Sequence, residues 1–151
     1  MSYKVETVDK SNYKEIVDVW EASVRATHTF LTEDDIQYFK PLILEQYLDA
    51  VELRCVKDDQ QKILGFLGVA EKKAEMLFLL PEMRGKGIGT ALMDFAVKEL
   101  EVDKVDVNED NPEATRFYLN YGFQIVSRSE TDPSGKPFPI LHMELKKHPL
   151  N

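Results

Sequence analysis

A cationic, glycine-rich turn constrains the fold of this chain more than any other feature. Three of the seven glycines lie in the segment Arg84-Gly85-Lys86-Gly87-Ile88-Gly89. An apolar run, residues 77–80, precedes the turn, and the residues after it repeat their apolar side chains at helical spacing. Glycine permits a positive φ and lets the backbone approach a ligand closely. Because the first amides of a helix lack partners and its N-terminus is electropositive, this strand–turn–helix unit suits a phosphate or pyrophosphate.

Neither of two common phosphate-binding motifs describes this turn. The dinucleotide pattern G-x-G-x-x-G fails because Thr90 occupies the position of its third glycine. The P-loop pattern fails because Gly85-Lys86 is followed by Gly87 and lacks the earlier glycine. The pattern that remains is R-x-x-G-x-G. A turn that merely reverses the chain would explain neither the two cations nor the helix that follows.

The composition is that of a folded acidic protein with one small basic site. The 151 residues include 43% hydrophobic residues and fit one domain that needs no metal or disulfide for its core. With 27 acidic and 19 basic residues, the net charge of −8 disfavours nucleic acid or an anionic membrane as the main partner. The lone Cys55 excludes an intrachain disulfide framework and is interpreted as a small buried side chain in a reducing compartment. We therefore expect a cytoplasmic protein. In agreement with this, no apolar run approaches the roughly 20 residues that span a membrane.

The order of the predicted elements indicates an α/β fold. Alternation and helical periodicity give a strand (residues 4–8), two helices, three strands, a helix, a strand, a helix and two strands. Pro41 lies inside the second helical stretch and is expected either to kink it or to divide it. The fourth helix has Asn111 as N-cap, Pro112 at its first position and Gly122 as C-cap. One sheet with flanking helices follows from this order.

Two motifs, in this order, resemble the GNAT family of N-acetyltransferases. Residues 77–92 read Leu-Phe-Leu-Leu-Pro-Glu-Met-Arg-Gly-Lys-Gly-Ile-Gly-Thr-Ala-Leu and are similar to the family's strand, pyrophosphate loop and helix. The second motif has Asn111 and Tyr118 seven residues apart and ends in Tyr121-Gly122-Phe123. Residues 26–31 (Ala-Thr-His-Thr-Phe-Leu) and 135–139 (Gly-Lys-Pro-Phe-Pro) further resemble the bacterial YjaB-like branch. The resemblance implies a single N-acetyltransferase domain over residues 1–151, with a mixed, mainly antiparallel central sheet flanked by helices.

The resemblance also implies a site for acetyl-CoA as co-substrate, with no metal. In the family, the backbone of the strand before the loop pairs with the pantetheine arm, and the matching positions here are Leu77, Phe78 and Leu79. The pyrophosphate would bind at the loop and the start of its helix, which comprise Arg84, Gly85, Lys86, Gly87, Ile88, Gly89 and Thr90. Asn111 would face the cofactor arm, unless it serves only as the N-cap.

The implied reaction is acetyl transfer from the CoA thioester to a primary amine by direct attack. An alkylammonium has a pKa near 10.4 and must lose a proton before it attacks. Glu75 is the first candidate for the base, directly or through water, although it would equally fit a solvated strand residue. His28 is the second candidate, because the ordinary pKa of histidine, near 6.5, suits a proton acceptor. Alternatively, His28 and Phe30 shape the pocket for the substrate.

Tyr118 is the candidate acid for the departing CoA thiolate. A phenol with a pKa near 10 that faces a thiol with a pKa near 8.5 transfers its proton uphill by about 2 kcal/mol. A hydrogen bond to the developing thiolate is therefore its larger expected contribution. The alternative is an aromatic side chain that only packs beside Phe117 and Tyr121.

Two other classes of protein compete with an acetyltransferase. The chain could bind acyl-CoA as a non-catalytic sensor, or serve as a purely structural partner domain. The presence of both Tyr118 and Glu75 argues against the sensor. The acidic surface favours a cationic acceptor, such as a protein lysine or a small amine. Whether the protein forms a homodimer is left open by the sequence. His142, which alternates with Ile140 and Glu144, is interpreted as structural.

Overall fold

The computed structural model describes residues 3–146 and divides the chain into two compact units, Met1–Val102 and Asp103–Asn151. The elements of the first unit are β1 (Glu6–Thr7), α1 (Tyr13–Thr27), α2 (Glu33–Leu42), β2 (Glu52–Lys57), β3 (Ile63–Ala70), β4 (Lys73–Leu79) and α3 (Ile88–Glu99). Short 3₁₀ turns occupy Lys10–Asn12, Leu48–Ala50 and Pro81–Met83, and a π-helical turn occupies Ile43–Tyr47. The strands pair antiparallel in the order β1-β2-β3-β4.

β3 forms the centre of the first unit's core. Seven of its eight residues are buried. Because successive side chains of a strand point to opposite faces, both faces of β3 must be covered. The helices α1 and α3 both pack against β3 and β4. Their buried apolar residues recur at helical spacing, as do Ile16 and Val24 in α1 and Ile88 and Leu92 in α3.

In the first unit, one strand is shorter than expected from sequence, and one of the two outcomes expected at Pro41 does not occur. The first strand is only Glu6–Thr7 rather than residues 4–8. The α2 helix is not divided at Pro41, because it continues through this proline to Leu42 and then widens into the π-helical turn. Proline has no N–H for the carbonyl four residues earlier and its ring crowds that carbonyl, which is why a kink or a break was expected at Pro41.

The second unit, as far as residue 146, is built around the last of its strands. Its elements are β5 (Lys104–Asn108), α4 (Pro112–Tyr121), β6 (Phe123–Ser129) and β7 (Ile140–Leu145). β5 and β6 each pair antiparallel with β7, in the order β5-β7-β6, and α4 packs against both β5 and β6. Asp106 of β5 lies directly opposite His142 of β7. Beside His142, the register of β6 shifts by one residue, so that Val126 bulges from the strand.

These elements confirm the predicted α/β class with mainly antiparallel strands flanked by helices. Cys55 has no exposed surface, which confirms its interpretation as a small buried side chain. Over residues 3–146, no helix has the length and apolar character needed to cross a membrane. The same part of the chain contains no group of three or more side chains suited to hold a metal ion.

Candidate active site

The glycine-rich turn adopts the backbone that its sequence predicts. Gly85 has a φ of 76° and Gly87, the N-cap of α3, has a φ of 90°. Both values lie in the left-handed region, which residues with a side chain rarely occupy. A Cβ added at Gly85 would meet no atom within 4 Å. The backbone conformation, rather than crowding by the chain itself, therefore requires glycine in this turn.

The N-terminus of α3 offers backbone donors to an anion. The first intrahelical hydrogen bond runs from the N–H of Ala91 to the carbonyl of Gly87, at 3.0 Å. The amides of Ile88, Gly89 and Thr90 precede this bond and have no acceptor within the helix. Because Gly87 has no side chain, no cap competes for them. Together with the positive end of the helix dipole, this donor set fits the predicted pyrophosphate.

Two cationic side chains, Arg84 and Lys86, belong to the same turn as these donors. Arg84 and Lys86 are both exposed, and Nε of Arg84 lies 3.5 Å from the carbonyl oxygen of Pro81. In a protein with a net charge of −8, two adjacent cations create a local field of the opposite sign. The chemistry of the turn is therefore that of an anion site on an acidic protein.

Tyr3 supports the turn, although nothing in the sequence pointed to it. Its hydroxyl donates a hydrogen bond to the carbonyl of Lys86, at 2.9 Å. Its Cε2 atom lies 3.8 Å from the place that a Cβ of Gly87 would occupy. The bond orients the peptide that leads into Gly87 and so helps to define the conformation of the turn. It joins residues 83 positions apart, which no local motif reveals.

β4 carries the residues predicted to face the pantetheine arm. Leu77, Phe78 and Leu79 are half-buried and pair with β3. Glu75 precedes them at a β-bulge, where it has no partner in the register with β3. Its carboxylate is exposed and lies 3.6 Å from Nζ of Lys73. A bulge redirects the side chain that it carries, so the setting of Glu75 agrees with a candidate base as well as with a solvated strand residue.

His28 joins predicted substrate and cofactor residues in one aromatic cluster. It ends α1 and is only 8% exposed. Its ring centroid lies 5.3 Å from that of Phe30 and 6.2 Å from that of Phe78. Phe78 lies 5.7 Å from Phe66 of β3, which continues the cluster into the core. The structure therefore brings together His28 and Phe30, which the sequence assigned to the substrate, and Phe78, which the sequence assigned to the cofactor.

Hydrogen bonds determine which nitrogen of His28 can accept. The hydroxyl of Thr27 donates to the carbonyl of Ser23 at 2.9 Å and lies 2.8 Å from Nδ1 of His28. Because this hydroxyl has a single hydrogen, Nδ1–H must donate to it, and Nε2 of the neutral ring keeps its lone pair. Burial lowers the pKa of His28 to about 4, so the ring is neutral at pH 7. His28 thus presents a hydrogen-bond acceptor and no positive charge.

Asn111 serves as the N-cap of α4 and keeps two further donors. Its Oδ1 accepts a hydrogen bond from the N–H of Ala114 at 3.2 Å, which confirms the predicted cap. The residue is buried, with 7% exposure. Within the described part of the chain, no group accepts a hydrogen bond from its Nδ2. The cap and a contact to a ligand are compatible, because they use different atoms of the side chain.

Tyr118 lies nearly two helical turns after Asn111 on α4, so the two residues share one face of the helix. Its ring is buried and lies 5.3 Å from Phe117 and 5.8 Å from Phe123, measured between centroids. Burial raises the pKa of Tyr118 well above that of an ordinary phenol, so its hydroxyl stays protonated. No described residue accepts a hydrogen bond from this hydroxyl. The ring therefore packs beside Phe117, as the alternative expected, and beside Phe123, while the hydroxyl remains a donor for a ligand.

Several known proteins are similar to this chain in sequence, in fold or in both. Residues 51–125 match the family described as "Acetyltransferase (GNAT) domain". The chain is 33% identical over 130 residues to the peptidyl-lysine N-acetyltransferase YjaB of Salmonella typhimurium (strain LT2), a match that covers 86% of this chain and 89% of that protein. The solution structure of the apo form of YjaB from Escherichia coli has a TM-score of 0.86 at 28% identity and covers 98% of this chain and 100% of its own. The PaiA N-acetyltransferase of Thermoplasma acidophilum, solved in complex with coenzyme A, shares the fold with a TM-score of 0.73 at 22% identity and covers 97% of this chain and 100% of its own.

These likenesses confirm the family that the two motifs predicted, and they extend over nearly the whole chain. The matched family region contains both the glycine-rich turn and the motif from Asn111 to Tyr118. The region also includes the four strands from β2 to β5, but not β1. The chain belongs to the GNAT family of acetyltransferases, and the protein is an acyltransferase.

Proposed function

We propose that this protein transfers the acetyl group of acetyl-CoA to the ε-amine of lysine side chains in proteins. The observation that carries the proposal is the glycine-rich turn, whose left-handed glycines and free helix amides form an anion site on an acidic protein. Relatives named peptidyl-lysine N-acetyltransferase support the choice of acceptor. Electrostatic attraction supports it as well, since a lysine side chain is cationic and the net charge here is −8. A small cationic amine is the competing acceptor.

Acetyl-CoA, when bound, supplies an acetyl thioester and a thiol leaving group. The turn and the first amides of α3 would hold its pyrophosphate, with Arg84 and Lys86 as counter-charges. The backbone of residues 77–79 would pair with the pantetheine arm. The Nδ2 amide of Asn111 would donate to that arm, because its Oδ1 is committed to the cap.

Glu75 and His28 have different roles toward the acceptor in this proposal. Nε2 of His28 accepts a hydrogen bond from the incoming amine and orients it, because Nδ1 is committed to Thr27. Burial lowers the pKa of His28 to about 4, far below the value of about 10.4 for an alkylammonium. His28 is therefore too weak a base to take the proton of the amine. The exposed carboxylate of Glu75 passes that proton to water. The exposure of the Glu75 carboxylate to solvent supports this role.

Tyr118 assists the departure of the thiol. Its buried phenol stays protonated, since burial raises its pKa, and the hydroxyl has no acceptor among residues 3–146. A raised pKa makes full proton transfer to a thiolate still less favourable than for an ordinary tyrosine. The contribution of Tyr118 is therefore a hydrogen bond to the developing negative charge on sulfur.

Release of CoA thiol with a panel of amines tests the proposed function. The panel contains a peptide with one lysine and blocked termini, the same peptide with arginine in place of lysine, free lysine, and spermidine. The lysine peptide should release thiol and gain one acetyl group on its lysine side chain. The arginine peptide should release no more thiol than buffer does, because a guanidinium stays protonated.

Three other outcomes are informative. Faster turnover with spermidine than with the peptide would replace protein lysine by a small amine as the acceptor. A thermal shift with acetyl-CoA but no thiol release with any amine would indicate an acyl-CoA sensor, which the family does not favour. Absence of both would overturn the assignment of the pyrophosphate site.

The remaining proposals concern the setting of the reaction. We infer that residues 1–151 act as one N-acetyltransferase domain, and the 98% coverage by the fold of YjaB supports this. The buried free thiol of Cys55 supports a reducing compartment and hence the cytoplasm. Independence from metals, nucleic acid and membranes stays a prediction, as does the formation of a homodimer.

A further inference from the structure

A hydrogen-bonded chain of a serine, a histidine and an aspartate crosses the three described strands of the second unit. Oγ of Ser129 on β6 lies 2.6 Å from Nε2 of His142 on β7. Nδ1 of the same histidine lies 2.7 Å from Oδ1 of Asp106 on β5. None of these residues has a part in the proposed acetyl transfer to an amine. We propose that they form a second, nucleophilic centre, in which the hydroxyl of Ser129 takes an acyl group from an activated carboxylic ester.

The carboxylate determines the direction of both hydrogen bonds. A carboxylate oxygen accepts and has no hydrogen to donate, so Nδ1 of His142 must carry the hydrogen of that bond. In the neutral ring, Nε2 is then the acceptor, and the hydroxyl of Ser129 donates to it. This is the polarity that a general base needs in order to take the proton of a serine, with the aspartate holding the ring in the required tautomer.

The strand register aligns the three side chains before any ligand binds. Asp106 and His142 lie opposite each other on adjacent strands. Ser127 lies opposite His142 on the other side, and Ser129 is two residues further along, so it is on the same face of β6. The bulge at Val126 sets this register, because without the extra residue the alternation of β6 against β7 would be reversed. A nucleophile and base held on strands are placed more firmly than the same residues on loops.

The centre is accessible to a ligand. The side chains of His142 and Asp106 are 33% and 23% exposed, and Ser129 is partly exposed. β6 is the last of the described strands in the sheet order, so the N–H groups along its outer side have no neighbouring strand to bind. Such N–H groups can donate to the oxygen that becomes negative when a nucleophile attacks a carbonyl.

The acylation step balances with the ester as its only co-reactant. Oγ of Ser129 forms a bond to the acyl carbon, and the bond from that carbon to the alcohol oxygen of the ester breaks. The hydroxyl proton passes to Nε2 of His142 and from there to the departing oxygen. The products are O-acylated Ser129 and the free alcohol, and Asp106 keeps its charge throughout.

Reaction of the full chain with p-nitrophenyl acetate, followed by intact-mass and peptide mass spectrometry, tests this proposal. The protein should gain one acetyl group on Ser129, with an equal burst of p-nitrophenolate. Ser129→Ala should abolish the label, and His142→Gln should slow its formation by roughly 100-fold, the effect of losing a general base. Asp106→Asn, which permits the opposite tautomer, should also slow labelling. Ser127→Ala, on the same face of the same strand, is the matched control and should label like the unmodified protein.

Thermal melting of each variant establishes that it is folded before labelling is compared. A protein that gains no label on Ser129 would overturn the proposal. Equal labelling rates in the unmodified protein and in folded His142→Gln would overturn it as well, because the hydroxyl would then react without the histidine.

Discussion

The hydroxyl of Thr27 lies 2.8 Å from Nδ1 of His28, the residue that ends α1. The same hydroxyl donates to the carbonyl of Ser23 one turn earlier, so the helix backbone itself selects the tautomer of the histidine. Nε2 of His28 is thereby left as an acceptor beside Phe30 and Phe78. In the proposed reaction, Thr27 would be a positioning residue, because it would act on the acceptor amine only through His28.

Replacement of Thr27 distinguishes its hydrogen bond to His28 from the packing of its side chain. Valine has nearly the shape of threonine but no hydroxyl, so Thr27→Val removes a hydrogen bond of about 1 kcal/mol and leaves His28 free to change tautomer. We expect roughly a fivefold loss in kcat/KM for the lysine peptide, with unchanged acetyl-CoA affinity by calorimetry. Thr27→Ser should restore turnover, because it restores the hydroxyl. Wild-type kinetics in folded Thr27→Val would refute the role of the tautomer.

The buried His28 should make stability depend on pH. Its pKa is about 4 in the folded protein against an ordinary value of 6.5, as a consequence of burial. As the pH falls below 6.5, the unfolded chain binds this proton first, so the stability present above pH 6.5 is lost progressively down to pH 4. The full loss is about 3 kcal/mol. Urea unfolding at several pH values should show this loss in the wild type and a much flatter dependence in His28→Gln. Equal acid sensitivity in both proteins would contradict the prediction, and NMR titration of the His28 ring gives an independent measurement.

Local signals made part of the site predictable from sequence. The turn needs glycine at positive φ, and α4 needs a cap at Asn111 and a stop at Gly122; each requirement is met by residues adjacent in the chain. The pattern of apolar residues likewise placed α3 and β4 without knowledge of the fold.

Long-range contacts made the rest unpredictable. The bond from Tyr3 to Lys86 depends on the packing of segments far apart in sequence. The contact of His142 with Ser129 and Asp106 depends on the register of three strands and on a bulge, which alternation alone does not reveal. Alternation therefore gave His142 a structural interpretation and could not show that both of its ring nitrogens are engaged.

Asn111 can be tested so that cap and ligand contact are distinguished. Asn111→Asp keeps an oxygen for the N–H of Ala114 but removes the Nδ2 donors, and Asn111→Ser does the same without adding charge. Both variants should keep their melting temperature within a few degrees and bind acetyl-CoA roughly tenfold more weakly, the loss of one good hydrogen bond. Asn111→Ala should lose about 1 kcal/mol of stability as well, because it removes the cap. Unaltered affinity in the serine variant would reduce Asn111 to a cap alone.

Tyr118→Phe should affect turnover far more than folding. The hydroxyl has no acceptor among residues 3–146, so its removal leaves none of these residues without a hydrogen-bond partner. The ring contacts with Phe117 and Phe123 persist. We expect kcat to fall roughly 100-fold, the usual cost of one donor to a developing negative charge, with acetyl-CoA affinity nearly unchanged. Because burial raises the pKa of Tyr118, the wild type should show no loss of kcat from ionisation of this phenol up to pH 10. Unchanged turnover in the variant would remove Tyr118 from the mechanism.

Tyr3 and Gly87 test the pyrophosphate site from two directions. Tyr3→Phe removes the bond to the carbonyl of Lys86 and leaves the ring beside Gly87, so acetyl-CoA should bind about fivefold more weakly while the fold persists. Gly87→Val should weaken binding more, because a β-branched residue is strained at a φ of 90° and would pull the turn away from the conformation that exposes the α3 amides. Tyr38→Phe, at an exposed tyrosine of α2, is the matched control and should bind like the wild type. Calorimetric titration with acetyl-CoA and with CoA measures all four proteins, and equal affinities in the wild type and Gly87→Val would place the pyrophosphate elsewhere.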